Sequence, residues 1–401
     1  MNKTLLAAAL FAAMQAQAGT LDDGNLSLSG FGTLGVAKSN TDQAQFTRYN
    51  QAEGVADQAK IGLDSNLGLQ ATYKINDWLS GTAQILTRKN TSPTFTTDLT
   101  WAFLKARIND ETNVRVGRVV LPAFLISEYQ NVGYANTMMR PPVEMYAQAP
   151  IEAVDGADVT YQHAFGDFNF TTSAYAGVSR GKLFVPAAAT VATYRAPSAG
   201  LSVGGEYGPF SVRLAHARVK MTSNDLGPVN TLTSTLAKVG FAQLGSDLSL
   251  IQGKKIAFTS LGGTMDWNNV VAQAELAMRV AKEPVYIPDT TSWYLMAGYR
   301  IGKVLPYFAH AAVRDAGHSV TPPATFPKTG ALAATVGGLM AAAEQKNDLI
   351  GVRWDFAKSM ALKVQIDRVK PKTKAGTLIF APAAGYTNTV TVVGAALDFV
   401  F

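Results

Sequence analysis

The feature that most narrows what this chain can fold into is a period-two alternation of apolar and polar residues. It recurs from end to end, in pairs joined by very short turns. In Leu67-Gly68-Leu69-Gln70-Ala71-Thr72-Tyr73-Lys74-Ile75 the odd positions are apolar and the even ones are Gly or polar. Asn76-Asp77 follows as a turn, and then Leu79, Gly81, Ala83 and Ile85 alternate with Ser80, Thr82 and Gln84. Successive side chains of a strand point to opposite faces, so one set meets an apolar surrounding and the other meets water. The same hairpin recurs through Gly166-Asp167, Gly208-Pro209, Asn268-Asn269, Gly302-Lys303 and Ala357-Lys358.

Read this way the chain predicts about sixteen strands of roughly ten residues, an even number within the range of transmembrane barrels. Longer segments separate the hairpins at about 39–59, 89–97, 121–154, 179–198, 221–253, 281–290, 314–346 and 371–387. Short turns at one end and long loops at the other match periplasmic turns and extracellular loops. Aromatics near strand ends (Tyr73, Trp78, Trp267, Trp293, Tyr299, Trp354) predict interfacial girdles. The expected fold is all-β: a transmembrane antiparallel β-barrel of about 16 strands. A soluble β-sandwich also alternates, but it rarely needs so many consecutive hairpins.

Composition fits that reading. Mean hydropathy is near neutral at +0.07, as expected where lipid-facing and water-facing residues alternate. The Ala/Gly-rich stretch at 330–343 is too short for a spanning helix, which needs about 20 apolar residues. No charge block or Pro-rich linker divides the 401 residues, so residues 19–401 are expected to form one barrel. Cysteine is absent, which excludes a disulfide scaffold and thiol chemistry. The formal net charge of +6 is modest and dispersed, unlike a nucleic-acid surface.

Both ends point to the envelope. Lys3, the apolar run Leu5 to Met14 and Ala16-Gln17-Ala18 predict a signal peptide over residues 1–18, cleaved after Ala18 and exported through the Sec pathway. At the other end Val393, Ala395, Leu397, Phe399 and Phe401 alternate with Gly394, Ala396, Asp398 and Val400. This strand resembles the C-terminal signal, here Leu397, Phe399 and Phe401, by which the barrel assembly machinery recognises outer-membrane proteins. An amphipathic strand with an unpaired edge suits augmentation and then closure.

Leu26-Ser27-Leu28-Ser29-Gly30-Phe31-Gly32-Thr33 resembles the first strand of Gram-negative general porins. So does Val114-Arg115-Val116-Gly117-Arg118, followed by Leu121-Pro122 and a long third loop. The resemblance implies a sixteen-stranded trimeric barrel in the outer membrane, with lipids and lipopolysaccharide around it and an inward-folded third loop. It also implies basic wall residues facing acidic loop residues, a transverse field that sorts solutes. Arg118 takes the wall position of the Gly-Arg pair and Arg115 lies beside it. The loop, about 121 to 155, offers Glu128, Glu144, Glu152 and Asp155 together with Arg140. Prolines 141, 142 and 150 are expected to stiffen it. Related porins often carry a basic residue before the Leu-Gly-Leu of the second strand. Here Asn66 stands in its place, and Lys38, Lys60 and Arg88 are candidates to compensate.

The four histidines, His163, His216, His310 and His318, sit in no catalytic pattern. There is no His-Glu-x-x-His and no metal-ligand spacing, and the two Gly-x-Ser-x-Gly matches, Gly177 to Gly181 and Gly200 to Gly204, lack the strand-to-helix context of a nucleophile elbow, so neither an enzyme nor a cofactor or metal is expected. The reading is passive diffusion of small hydrophilic solutes and ions through a water-filled channel. Two alternatives stay open: a substrate-selective channel with a saturable site for a small anion or sugar, and a barrel serving as an adhesin or phage receptor. A sugar channel would need lumenal aromatics, for which Trp101 and Tyr294 are the candidates.

Overall fold

The computed structural model describes residues 20–21, 24–185, 190–341, 344–372, 379–380, 383, 386 and 388–401. The expected leader, residues 1–18, and most of the 371–387 loop lie outside them. One antiparallel sheet holds seventeen strands, and one of these, Thr20–Leu21, is only two residues long. The other sixteen close into a barrel.

The first eight are β1 (Leu26–Ser39), β2 (Asn66–Lys74), β3 (Leu79–Lys89), β4 (Phe95–Arg107), β5 (Thr112–Val120), β6 (Ala153–Phe165), β7 (Phe168–Val185) and β8 (Thr190–Tyr207). The remaining eight are β9 (Phe210–Met221), β10 (Lys254–Trp267), β11 (Val270–Ala281), β12 (Asp289–Tyr299), β13 (Val304–Gly317), β14 (Gln345–Ala357), β15 (Met360–Pro371) and β16 (Val390–Val400). Each pairs with its sequence neighbours, and β16 pairs with β1. Full closure removes every exposed edge, which an apolar bilayer requires.

Alternation supplies the outer face. Leu69, Ile85, Leu104, Val116, Leu214, Leu276, Leu295, Ile350 and Val364 are all exposed. In a soluble protein such a surface would aggregate; against acyl chains it is the stabilising one. The turns follow from local chemistry. Asn268 and Asn269 both adopt positive φ, the pairing that a tight two-residue hairpin needs.

Closure relies on close approach. Gly30 and Phe401 exchange backbone hydrogen bonds of 2.8 and 3.0 Å. The Phe401 and Phe399 rings lie where side chains on Gly30 and Gly32 would be, 2.3 and 2.5 Å from an added Cβ. The glycines of the first strand are therefore seats for the aromatics of the last.

Three sequence expectations change. The segment at 179–198, read as a loop, is largely the extended top of the β7–β8 hairpin, paired out to Val185 and Thr190. Residues 221–253 contain helices α2 (Gly227–Lys238) and α3 (Ala242–Leu248), numbered after a one-turn helix α1 (Val143–Tyr146). The Ala/Gly-rich stretch forms α4 (Ala331–Met340), which packs Val336 and Met340 with Leu232, Leu236 and Leu248 in a small apolar cap. These helices bury most of their faces against one another and the loops, with Val229 of α2 reaching the main buried cluster, so strand periodicity gave no sign of them.

Candidate channel site

The site is built by the segment between β5 and β6. Most of its partners stand on β9 to β16, on the face opposite the exposed apolar residues, with Asp64 before β2 and Arg88 on β3 adding to them. Lys363, Gln365 and Asp367 are buried, alternating with exposed Leu362, Val364 and Ile366. The segment therefore crosses the lumen and lies against the far wall.

Polar anchors fix it along its length. Ser260 Oγ donates to the Ala123 carbonyl at 2.7 Å, and Glu275 accepts from the Leu125 amide at 2.8 Å and from the Tyr146 hydroxyl at 2.6 Å. Lys363 Nζ donates to the carbonyls of Gly133 (2.7 Å), Asn136 (2.5 Å) and Met138 (3.2 Å), and Asp398 lies 2.9 Å away. Arg353 reaches the Tyr134 and Asn136 carbonyls at 2.8 and 2.9 Å. Buried charges are costly unless satisfied. Here loop backbone and neighbouring carboxylates satisfy them. Apolar packing adds to this: Leu121, Phe124, Ile126, Met145 and Tyr146 share one buried cluster with Tyr175, Phe258, Met296 and Tyr307 of the wall. Each large side chain so buried contributes about 2 kcal/mol.

The five sequence-predicted constriction residues separate into two groups. Arg140 and Glu144 are 1 % and 0 % exposed. Arg140 is clamped between Asp64, at 2.7 and 2.9 Å, and Asp367. Glu144, on α1, accepts from Gln345 at 2.7 Å. Both therefore bind the segment to the wall and do not face open water. Arg115, Arg118 and Glu128 remain partly exposed. Arg115 pairs with Asp158 at 2.5 Å and lies 5.2 Å from the Phe103 ring centre. Arg118 pairs with Asp155 at 2.7 Å and donates to the Leu99 carbonyl at 3.1 Å. Glu128 pairs with Arg213.

Gly117 explains the Gly-Arg motif. It has φ +133°, and a Cβ there would lie 2.3 Å from the Ala102 carbonyl oxygen. Gly156 and Gly177 stand beside it in register across β6 and β7. Only glycine permits so close an approach of three backbones. A bulge at Thr100 shifts the β3–β4 register, which accounts for the poor alternation after Leu99 and turns Trp101 toward the lumen.

The open lumen runs along β2 to β9 as two compartments of about 540 and 690 Å³. The first, on the long-loop side, is lined by Arg88, Asp98, Arg118, Glu152 and Asp155 among others. Threonine and serine hydroxyls, Lys105, Arg115, Glu206 and Arg213 line the second. Trp101 and Glu128 line both, so the two compartments meet beside this wall indole and this loop carboxylate. Arg88 stands directly across from Asn66 and pairs with Glu152 at 2.6 Å. Lys38 is exposed on the parity of lipid-facing Val36, and Lys60 pairs with Glu53. Tyr294 is buried beneath the segment against Tyr146 and Glu275. Sequence reading missed Asp158 as a partner and Lys363 as an anchor. The usable signal was an inward-parity charge on a strand facing the segment.

A closed barrel that is apolar outside, polar inside and narrowed by its own chain is a membrane channel. Comparison with protein families agrees: the model for Gram-negative porins matches residues 4–376. The chain belongs to the Gram-negative porin family and is an outer-membrane channel. No curated protein matches its sequence. Among solved structures it is similar to the anion-selective porin from Comamonas acidovorans, at 15 % identity and TM-score 0.54, covering 94 % of this chain and 99 % of that one. The outer membrane channel DcaP of Acinetobacter baumannii is similar at 12 % identity and TM-score 0.55, covering 96 % and 100 %. OmpT of Vibrio cholerae in its trimer form is similar at 12 % identity and TM-score 0.52, covering 94 % and 100 %. At these identities the likeness is one of fold.

Proposed function

We propose that the channel passes small hydrophilic solutes and ions by passive, size-limited diffusion, with no catalytic step and no cofactor. The observation that carries this is the junction, at Trp101 and Glu128, of two compartments lined by charged and hydroxyl side chains. Charge discrimination is weak in this reading. The arginines nearest the passage each hold a carboxylate: Arg88 with Glu152, Arg115 with Asp158, Arg118 with Asp155 and Arg213 with Glu128. A paired charge projects a dipole and not a monopole, and its field falls off faster across a wet lumen. The working form is a homotrimer, supported by the trimeric form of the Vibrio cholerae OmpT fold relative. Residues 1–18 act as a cleaved leader, and Leu397, Phe399 and Phe401 act as the assembly signal.

Planar bilayers test the proposal. Refolded protein should give stepwise conductance, a reversal potential near zero under a salt gradient, and current reduced by small sugars only in proportion to their size. Silent bilayers would reject the channel. Saturable block by one solute would favour a selective site instead.

A further inference from the structure

In the first loop, between β1 and β2, residues 50 to 52 bridge two strands that are not neighbours. At one end the Ala52 amide donates to the Asn90 carbonyl, just past β3, at 2.8 Å. Gln51 Nε2 beside it donates to the carbonyls of Leu63 at 3.0 Å and Lys89 at 3.3 Å. At the other end Asn50 Nδ2 donates to the Lys182 carbonyl at 3.0 Å, and Asn50 Oδ1 accepts from the Phe184 amide at 2.8 Å, both on β7. The Tyr49 hydroxyl donates to Glu152 and accepts from Gln130 at 3.1 Å, which ties this strap to the lumen-crossing segment as well.

The strap is a chord across the mouth. β3 and β7 are four strands apart, and neighbouring strands lie about 4.8 Å apart, so the wall path between them is about 19 Å or longer. The chain from Asn50 to Ala52 covers at most about 7 Å. Even with one short side chain and a hydrogen bond at each end, the bridge is shorter than the wall it bypasses. It therefore completes a ring with the upper parts of β4, β5 and β6. The outer compartment of about 540 Å³ lies within that ring: Asn50, Asn90, Asp98, Arg118, Asp155 and Lys182 all line it.

Two local features suit Asn50 to the clasp. Among the described residues β6 pairs with β7 only as far as Val178, so the β7 edge beyond it has backbone groups to satisfy. The Asn50 carboxamide offers that edge a donor and an acceptor together, as a neighbouring strand would. Asn50 also adopts φ +59°, a left-handed conformation that Asn tolerates better than most side chains.

We propose that Asn50 closes an outer size filter at the long-loop entrance, separate from the junction at Trp101 and Glu128. It determines how large a hydrophilic solute can enter from that side. The clasp itself is uncharged, so it selects by size and not by sign. The proposal rests on the channel reading.

The test uses the full-length protein in planar bilayers, with polyethylene glycols of graded size added to one side at a time. The chain has no cysteine, so a thiol reagent too bulky to pass the pore can address Asn50→Cys alone. It should cut the current from one side only, which marks the long-loop end, and leave the wild type unaffected. In the wild type, some polymers that enter from the short-turn side should be excluded from the long-loop side. Asn50→Ala removes both hydrogen bonds. It should shift the long-loop cutoff to larger polymers and leave the short-turn cutoff where it was. Asn50→Asp keeps the acceptor for the Phe184 amide but sets an oxygen against the Lys182 carbonyl. It should shift the cutoff the same way by less, and it serves if the alanine variant does not fold. An unmoved long-loop cutoff overturns the proposal, as does a thiol reagent without effect from either side. So does a cutoff that moves equally from both sides, because a strap that only supports the crossing segment would alter the junction for polymers from either end. A silent wild type rejects the channel itself, whereas a conducting wild type with an unmoved cutoff rejects only the filter.

Discussion

Arg213 on β9 donates from both terminal nitrogens to the carboxylate of Glu128, at 2.7 and 2.9 Å. The pair joins the barrel wall to the lumen-crossing segment at the point where the two compartments meet, and it sets the local charge. Removing Arg213 (Arg213→Ala) leaves Glu128 unopposed and should move the reversal potential toward cations. Glu128→Gln should move it toward anions. If neither variant shifts it under a salt gradient, the pair does not stand at the constriction.

Trp101 lines the same junction of the two compartments, 6.4 Å centre to centre from Phe103. Trp101→Ala should raise single-channel conductance and admit larger uncharged polymers. The polymer size at which conductance is excluded reports this directly, and an unchanged cutoff places the narrowest point elsewhere.

Glu144 gives the segment a pH dependence. Burial pushes its carboxyl up to about 7, against the opposing hydrogen bond from Gln345. Among the described residues its Oε2 and the Oε1 of Gln345 have no partner, so a proton on Glu144 adds a donor beside unpaired acceptors. An acid that binds its proton more tightly when folded loses stability as pH rises, between about 4.5 and about 7 here. Protease resistance of the 121–152 segment should therefore decline across that interval and level off above it. Glu144→Gln should flatten the profile, and an equally steep profile in that variant assigns the titration to another group.

Lys363 is wholly buried, and removing one partner of a buried ion pair typically costs about 3–5 kcal/mol. Lys363→Met should lower the thermal unfolding temperature and increase open-channel noise, because three loop carbonyls each lose one donor. Adding Asp398→Asn removes the stranded charge and should restore part of the unfolding temperature but not the quiet current. Recovery of both would mean that Lys363 does not hold the segment.

Much of the barrel was legible because the environment of a spanning strand imposes a rule on every second residue. Leu67 to Ile75 and Leu362 to Ile366 obey it without exception. Where a second force acted, legibility failed. The Thr100 bulge broke the β4 alternation, and in the upper β7–β8 hairpin the buried inward residues Ala192, Tyr194 and Ala196 are not charged, so polarity no longer marks the facing. At the site, composition identified charges in the third loop but not their partners. Arg140 and Glu144 looked like pore charges, although the wall buries them against Asp64, Asp367 and Gln345. A charged residue in an inward segment reads the same whether it turns to water or to the wall.

The seam between β16 and β1 carries a further consequence. Asp398 accepts from Thr33 at 2.6 Å across it, between residues 365 positions apart in the chain, and the same carboxylate sits against Lys363. The tip of the crossing segment docks there too, with Gly133 pressed so close that a Cβ would lie 2.2 Å from Asp398. Joining the two most distant strands thus also completes one mooring of the plug. A half-zipped barrel keeps the moorings on β10, β11 and β14 but lacks the one at the tip, which closure of the seam supplies.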